Sequence, residues 1–149
     1  MLVRKENWVG LFDEFVFKHK DKKFVWGKWD CCIFSNALIR HLTGGNVIPK
    51  TLKWTDKKSA LESISEYGGD LNGAIKKASK NKLLPVNKNF IQKSDLIVYK
   101  QESQLVGIFD GFKILGPSDE GIIGNQYEKI LSAYRIPHRA TILEETRNV

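Results

Sequence analysis

Apolar residues recur at helical spacing through the first half of the chain. Four of them follow the i, i+3, i+4, i+7 pattern and predict an amphipathic helix over residues 3–18. They are Trp8, Leu11, Phe12 and Phe15. Nearly every position over residues 31–42 is apolar, which predicts a buried central helix that ends at Gly44-Gly45. Two further helices are expected after Asp56 and Asp70, residues that can cap a helix.

After Pro85 the pattern changes to short runs of β-branched and aromatic residues. Five such runs predict strands. They cover residues 96–99, 105–109, 112–115, 121–123 and 132–136. Asp110-Gly111 predicts a tight hairpin turn, and Gly116-Pro117 is expected to interrupt the pattern. Helices followed by strands predict an α+β fold, in which an antiparallel β-meander packs against the buried central helix.

The length of 149 residues fits one domain. We expect a mainly helical part over residues 1–80, a β-meander part over 81–139 and a C-terminal tail over 140–149. The chain has no apolar run long enough for a membrane span, and its first twenty residues lack the apolar core of a signal peptide. We therefore expect a soluble protein that is made in the cytoplasm.

The net charge of +7 includes two lysine-rich runs, at residues 18–23 and 76–82. Such charge favours polyanions, which include nucleic acid, anionic cell-wall polymers and acidic proteins. A solvated surface is the simpler interpretation, because both runs adjoin predicted helix ends. A basic nucleic-acid-binding module ranks last among the functions considered, since the runs lack interleaved aromatic residues and no base-reading motif is present.

Cys31 is the candidate nucleophile. It follows Asp30, which can cap the central helix, and the N–H groups and dipole at a helix start stabilise a thiolate. A cysteine hydrolase also needs a histidine that accepts the thiol proton. His41 lies about 15 Å along the same helix, at about 1.5 Å per residue. His19 belongs to a lysine run, and only His138, after the last predicted strand, stays a candidate base.

A purely structural interpretation also accounts for this segment, and we favour it over active catalysis. Trp26 and Trp29 then serve as core aromatics, Gly27 as a tight turn, Asp30 as the helix cap and Cys31 as a small buried residue.

No metal or cofactor is expected. The remaining acidic candidates occupy strand starts and turns, without histidine or cysteine at ligand spacing. They are Asp95, Asp110, Asp119 and Glu120. No glycine-rich nucleotide-binding loop is present.

Three blocks of the chain, taken in order, resemble the NlpC-type peptidoglycan endopeptidases. The blocks are Phe24–Gly27 with Asp30-Cys31, Ser94–Val98 and Leu105–Ile108. In that family the corresponding blocks run roughly WGG…DCSG, GDLV and HVGI. The chain is more similar still to a divergent group from tailed phages and prophages, which shares a Leu-Gly-Pro…Gly block and a closing Ala-aromatic-Arg-aliphatic block. The resemblance covers about residues 8–136.

The resemblance implies a papain-like (NlpC-like) fold with Cys31 at the nucleophile position. The position of the family's catalytic histidine is occupied by Leu105, which cannot accept a proton. Trp26, Gly27, Asp30, Asp95 and Gly107 match the remaining motif positions and are expected to be structural.

The expected function is therefore that of a structural or assembly component of a tailed-phage virion, in the tail or its tip. The degenerate enzyme fold would act there as an interaction scaffold, assembled in the host cytoplasm beside other virion proteins, in multiple copies and in contact with anionic cell-wall polymer. The alternative is an active cysteine endopeptidase that cleaves peptidoglycan during genome entry, with Cys31 as nucleophile and His138 or a partner-supplied group as base.

Overall fold

The computed structural model describes residues 1–139, and the expected tail over 140–149 lies outside the described residues. Four helices come first: α1 (Trp8–His19), α2 (Cys31–Thr43), α3 (Lys57–Gly68) and α4 (Leu71–Ser79). The strands are β1 (Leu84–Val86), β2 (Leu96–Lys100), β3 (Gln104–Phe109), β4 (Ile114–Ser118), β5 (Gly121–Asn125) and β6 (Lys129–Arg135), with a single 3-10 turn at Lys88–Phe90. The predicted α+β class is confirmed.

All six strands form one antiparallel sheet in the order β1-β6-β2-β3-β4-β5. Strands β2 to β5 are a meander, as predicted. The prediction was wrong for the last strand, because β6 returns to the free edge of β2, and β1 then pairs with β6. Composition can mark a segment as a strand, but only long-range packing selects its partner.

The helix starts agree with the predicted capping residues. The side chains of Asp30, Asp56 and Asp70 each accept a hydrogen bond from the backbone N–H three residues later. Helix α2 ends at Gly44, whose φ of 88° is left-handed and suits glycine.

Helix α1 begins at Trp8 rather than at residue 3, because the preceding segment is bonded to other parts of the chain. The backbone N–H of Leu2 donates to Lys82, and that of Arg4 donates to Pro137. These N–H groups already have hydrogen-bond partners elsewhere in the chain. The first residues therefore pack against the rest of the protein and do not form a helix.

Strand β4 differs from the expectation at Gly116-Pro117. It runs through both residues to Ser118 and pairs with β5 along its whole length. Only Ile114 and Leu115 pair with β3, so Pro117 lies where one side of the strand is unpaired and a proline is tolerated. The turn before β4 is longer than predicted, since the Asp110 carboxylate accepts from the N–H groups of both Phe112 and Lys113 at 2.7 Å.

The core lies between α2 and one face of the sheet. Fully buried aliphatic and aromatic side chains of α2 pack against those of β2 and β3; these include Phe34, Leu38, Ile39, Leu42, Val98, Val106 and Ile108. Gly107 allows β4 to approach β3 closely, since a Cβ there would lie 2.5 Å from the carbonyl oxygen of Leu115.

Asp95 fixes the start of β2 from inside the protein. Its carboxylate has no exposed surface, receives Arg135 at 3.0 and 2.8 Å and accepts from the N–H of Gln92 at 2.8 Å. Arg4 lies nearby, donates to Ser94 at 3.1 Å, and has a lowered pKa because it is buried, an effect that Asp95 opposes. A buried ion pair of this kind costs several kcal/mol to break on one side, on the order of 3–5. Asp95 therefore ties β2 to β6.

Candidate functional site

The buried carboxylate of Asp30 joins three separate segments around the start of α2. One oxygen accepts from the N–H of Ile33 at 3.0 Å, which caps the helix. The other accepts from the N–H of Gly27 at 3.0 Å and from the indole of Trp54 at 2.7 Å. The position of the helix start, and of the cysteine beside it, is set by these bonds.

The turn that precedes the helix is packed tightly against the Trp54 segment. Gly27 has a φ of 79°, and a Cβ there would lie 2.7 Å from the carbonyl oxygen of Trp54. Trp26 meets the ring of Phe24 edge to face, with centroids 5.0 Å apart. Trp26 and Asp30 thus line the site, and Gly27 allows the turn before α2 to pack against the Trp54 segment.

Cys31 is the first residue of α2 and lies half-buried in a cleft of about 760 Å³. We call this space the Cys31 cleft. Helices α3 and α4 contribute to one side and strands β2 to β5 to the other. Its walls are mainly apolar and include Trp26, Trp54, Leu61, Ile64, Leu105 and Ile123. The volume is in the range of small-molecule sites, roughly 300–1,000 Å³.

Neutral donors stabilise the Cys31 thiolate. The Cys32 thiol donates to the Cys31 sulfur, and together with the backbone N–H groups of Val106 and Cys32 it lowers the pKa of Cys31, against burial and the charge of Asp30. The same bond, with burial, raises the pKa of Cys32 well above its usual range. Cys31 is therefore the more acidic thiol of the pair.

Tyr99 and Asn125 supply two further polar groups in the same cleft. The Asn125 amide donates to the Tyr99 hydroxyl at 2.9 Å. Burial raises the pKa of Tyr99, and the nearby charge of Cys31 adds to the rise, so the phenol keeps its proton at neutral pH. Sequence reasoning missed both residues, because a tyrosine and an asparagine in separate strands carry no shared spacing that would link them.

None of the three histidines, all within residues 1–139, lines the Cys31 cleft. His19 packs on Phe15 and Trp29, and burial and neighbouring lysines lower its pKa.

The other two histidines also lie at other sites. His41 is 3.9 Å from Glu14, on the α1 side of α2. His138 is exposed after β6, where slight burial and Arg4 lower its pKa. Leu105 lines the cleft instead.

In the part of the chain that the structure describes, no group of three or more His, Cys, Asp or Glu side chains is placed to hold a metal ion. Asp95 and Asp110 are engaged with Arg135 and with turn N–H groups, respectively. None of the helices over residues 1–139 combines the length and apolar character needed to cross a membrane.

The fold and the cleft define an α+β domain with a thiol at the start of its central helix. The chain belongs to the family described as a domain of unknown function (DUF6950), whose model matches residues 3–136. The match therefore spans α1 to β6. No curated protein matches the chain.

Replacing Asp30 should destabilise the protein more than replacing another helix-capping aspartate. In Asp30→Ala the N–H groups of Gly27, Ile33 and Trp54 lose a buried acceptor, and we expect a loss of about 3 kcal/mol in the free energy of unfolding. Asp56→Ala is the matched control, because its cap is exposed and water can replace the lost bond. Urea unfolding of both variants checks this, and equal losses would contradict the role given to Asp30.

The Cys31 thiol should react with iodoacetamide at lower pH than an ordinary cysteine. Thiolate is the reactive form, so a lowered pKa moves the rise of the rate to lower pH than for N-acetylcysteine amide. Cys32→Ala removes the thiol donor and should move the profile to higher pH. Cys31→Ser should leave only slow labelling, since Cys32 is buried. Mass spectrometry gives the rates, and an unchanged profile in Cys32→Ala would contradict the assigned donor.

Proposed function

We propose that this chain is a papain-like, NlpC-like domain without amide hydrolase activity, which serves as a scaffold in a tailed-phage virion. The observation that carries the first part is the composition of the Cys31 cleft. The cleft holds a thiol of lowered pKa but none of the three histidines, and Leu105 lies where the resemblance places the base.

The side chains of Asp30, Lys57 and Asp70 also line the cleft. The two carboxylates are engaged as helix caps, and neither Tyr99 nor Asn125 can replace a histidine. Amide hydrolysis needs a residue that takes the thiol proton and returns it to the leaving amine. Tyr99 has a raised pKa and holds its proton too tightly to accept and release one at neutral pH, and the Asn125 amide does not titrate. The fold would then serve as a scaffold through its shape and its surface.

The resemblance of the Trp26-Gly27, Asp30-Cys31 and closing blocks to the phage group supports a place in the virion. Two exposed aromatic rings, Phe90 at 71% and Phe112 at 92% exposure, are available for contacts with neighbouring subunits. Aromatic residues are among the side chains that contribute most to protein interfaces. Other tail proteins, in multiple copies, are the proposed partners, and the exposed lysines could face anionic cell-wall polymer.

Purified particles test the virion role. We expect mass spectrometry of intact phage to detect this chain at a fixed ratio to the tail proteins, and deletion of its gene to block or alter tail assembly. Particles that lack the chain, together with normal assembly after deletion, would contradict the proposal.

An active endopeptidase is the second candidate, and the lowered pKa of Cys31 favours it. Incubation of purified muropeptides with the wild type and with Cys31→Ala distinguishes the two functions. We expect no peptide release from either. Release by the wild type alone would establish the endopeptidase instead.

Leu105→His tests the same point by gain of function, with Leu105→Ala as its control. The imidazole would enter the Cys31 cleft, and we expect muropeptide cleavage from Leu105→His only. Absence of cleavage in a folded Leu105→His would count against the papain-like assignment of this position.

A further inference from the structure

We propose that Cys31 accepts an acyl group from a thioester of an apolar carboxylic acid, whose chain occupies the Cys31 cleft. The inference deepens the proposed function and rests on the absence of a histidine from the Cys31 cleft. It is independent of where the protein acts.

The nature of the leaving group selects the acyl donor. An amine leaves only when it is protonated, and none of the three histidines lies in the cleft to supply that proton. A thiolate, with a conjugate-acid pKa of about 8.5, leaves without protonation. The Cys31 thiolate attacks the carbonyl carbon and forms a new C–S bond; the C–S bond to the donor then breaks, and the released thiolate takes a proton from water.

Tyr99, which lines the same cleft as Cys31, is the donor assigned to the oxygen of the intermediate. Its hydroxyl accepts from Asn125, and its own proton has no acceptor among residues 1–139. The ring is 1% exposed, yet the residue lines the same cleft as Cys31. A buried O–H held in place by a neighbouring amide is suited to donate to a developing oxyanion, because little reorganisation is then needed.

The walls of the cleft favour an apolar chain. Side chains from three elements face the space beside Cys31: Leu61 and Ile64 of α3, Leu105 of β3 and Ile123 of β5. Leu61 and Ile123 are exposed at 54% and 39%, so part of this apolar surface faces solvent unless a ligand covers it. Covering such surface contributes about 25 cal/mol per Å².

The acylated form should persist. Hydrolysis of the thioester on Cys31 needs a base that activates water, and the three histidines lie elsewhere. We therefore expect one stable acyl group per chain rather than turnover.

The full chain is incubated at neutral pH with the octanoyl thioester of N-acetylcysteamine. Mass spectrometry of the intact protein measures the extent of acylation over time. We expect a single octanoyl adduct that hydroxylamine removes, with a rate that saturates with donor concentration and exceeds that of the acetyl thioester. Glutathione serves as the reference for an ordinary thiol. Cys31→Ser should give no adduct.

Tyr99→Phe keeps the ring and removes the hydroxyl, and acylation should slow at least about tenfold, as for loss of an oxyanion donor. Tyr134→Phe is the matched control, since Tyr134 is a buried tyrosine of β6 that does not line the Cys31 cleft. Its rate should equal that of the wild type. Equal rates in both variants would overturn the role of Tyr99.

A rate that does not saturate and matches that of glutathione would overturn the proposed acyl site. An amide donor, octanoyl p-nitroanilide, separates this failure from that of the proposed function. Nitroaniline release that depends on Cys31 would contradict the absence of hydrolase activity, whereas an inert amide and an unmodified Cys31 would overturn the acyl proposal alone.

Discussion

A single carboxylate, that of Asp30, determines where the reactive part of this protein lies. It receives donors from the turn at Gly27, from the first turn of α2 and from the indole of Trp54, all at 2.7–3.0 Å. The carboxylate is buried, so each unmade bond would leave a donor without a partner. Cys31 follows Asp30 directly in the chain, so the hydrogen bonds to Asp30 also set the position of Cys31. The same hydrogen bonds hold Trp26 and Trp54 in the wall of the Cys31 cleft.

Asp95 has a related structural role at the start of β2, where its main partner, Arg135, is charged. Its pair with Arg135 holds β2 against β6, and Arg4 joins the first residues of the chain to the same corner. A buried ion pair contributes little net stability, yet it leaves a costly charge if one partner is lost. Both motif aspartates thus have structural partners: Asp95 pairs with Arg135, and Asp30, which also lines the Cys31 cleft, caps α2.

The thiol of Cys31 lies in a cleft that none of the three histidines lines. Its pKa is lowered by the Cys32 thiol and by backbone N–H groups, not by a charged imidazole. Neutral donors stabilise the thiolate but cannot hand a proton to a leaving amine. The chemistry proposed at this sulfur therefore uses donors that leave without protonation, and the proposed scaffold role and the proposed acyl-accepting role are compatible with the same cleft.

The sequence alone determined the helix boundaries that depend on local bonds, because a cap such as Asp30 and a left-handed end such as Gly44 act within a few residues. It also predicted the segments of β2 to β6, although not β1, and it showed the candidate nucleophile and the leucine at position 105. Tertiary structure alone decided that β6 returns to β2, that β4 continues through Pro117 and that Tyr99 and Asn125 meet in the cleft that Cys31 lines. These features depend on contacts between residues far apart in the chain. A local pattern of hydrophobic and polar positions does not show the free energy of such contacts, so it cannot predict them.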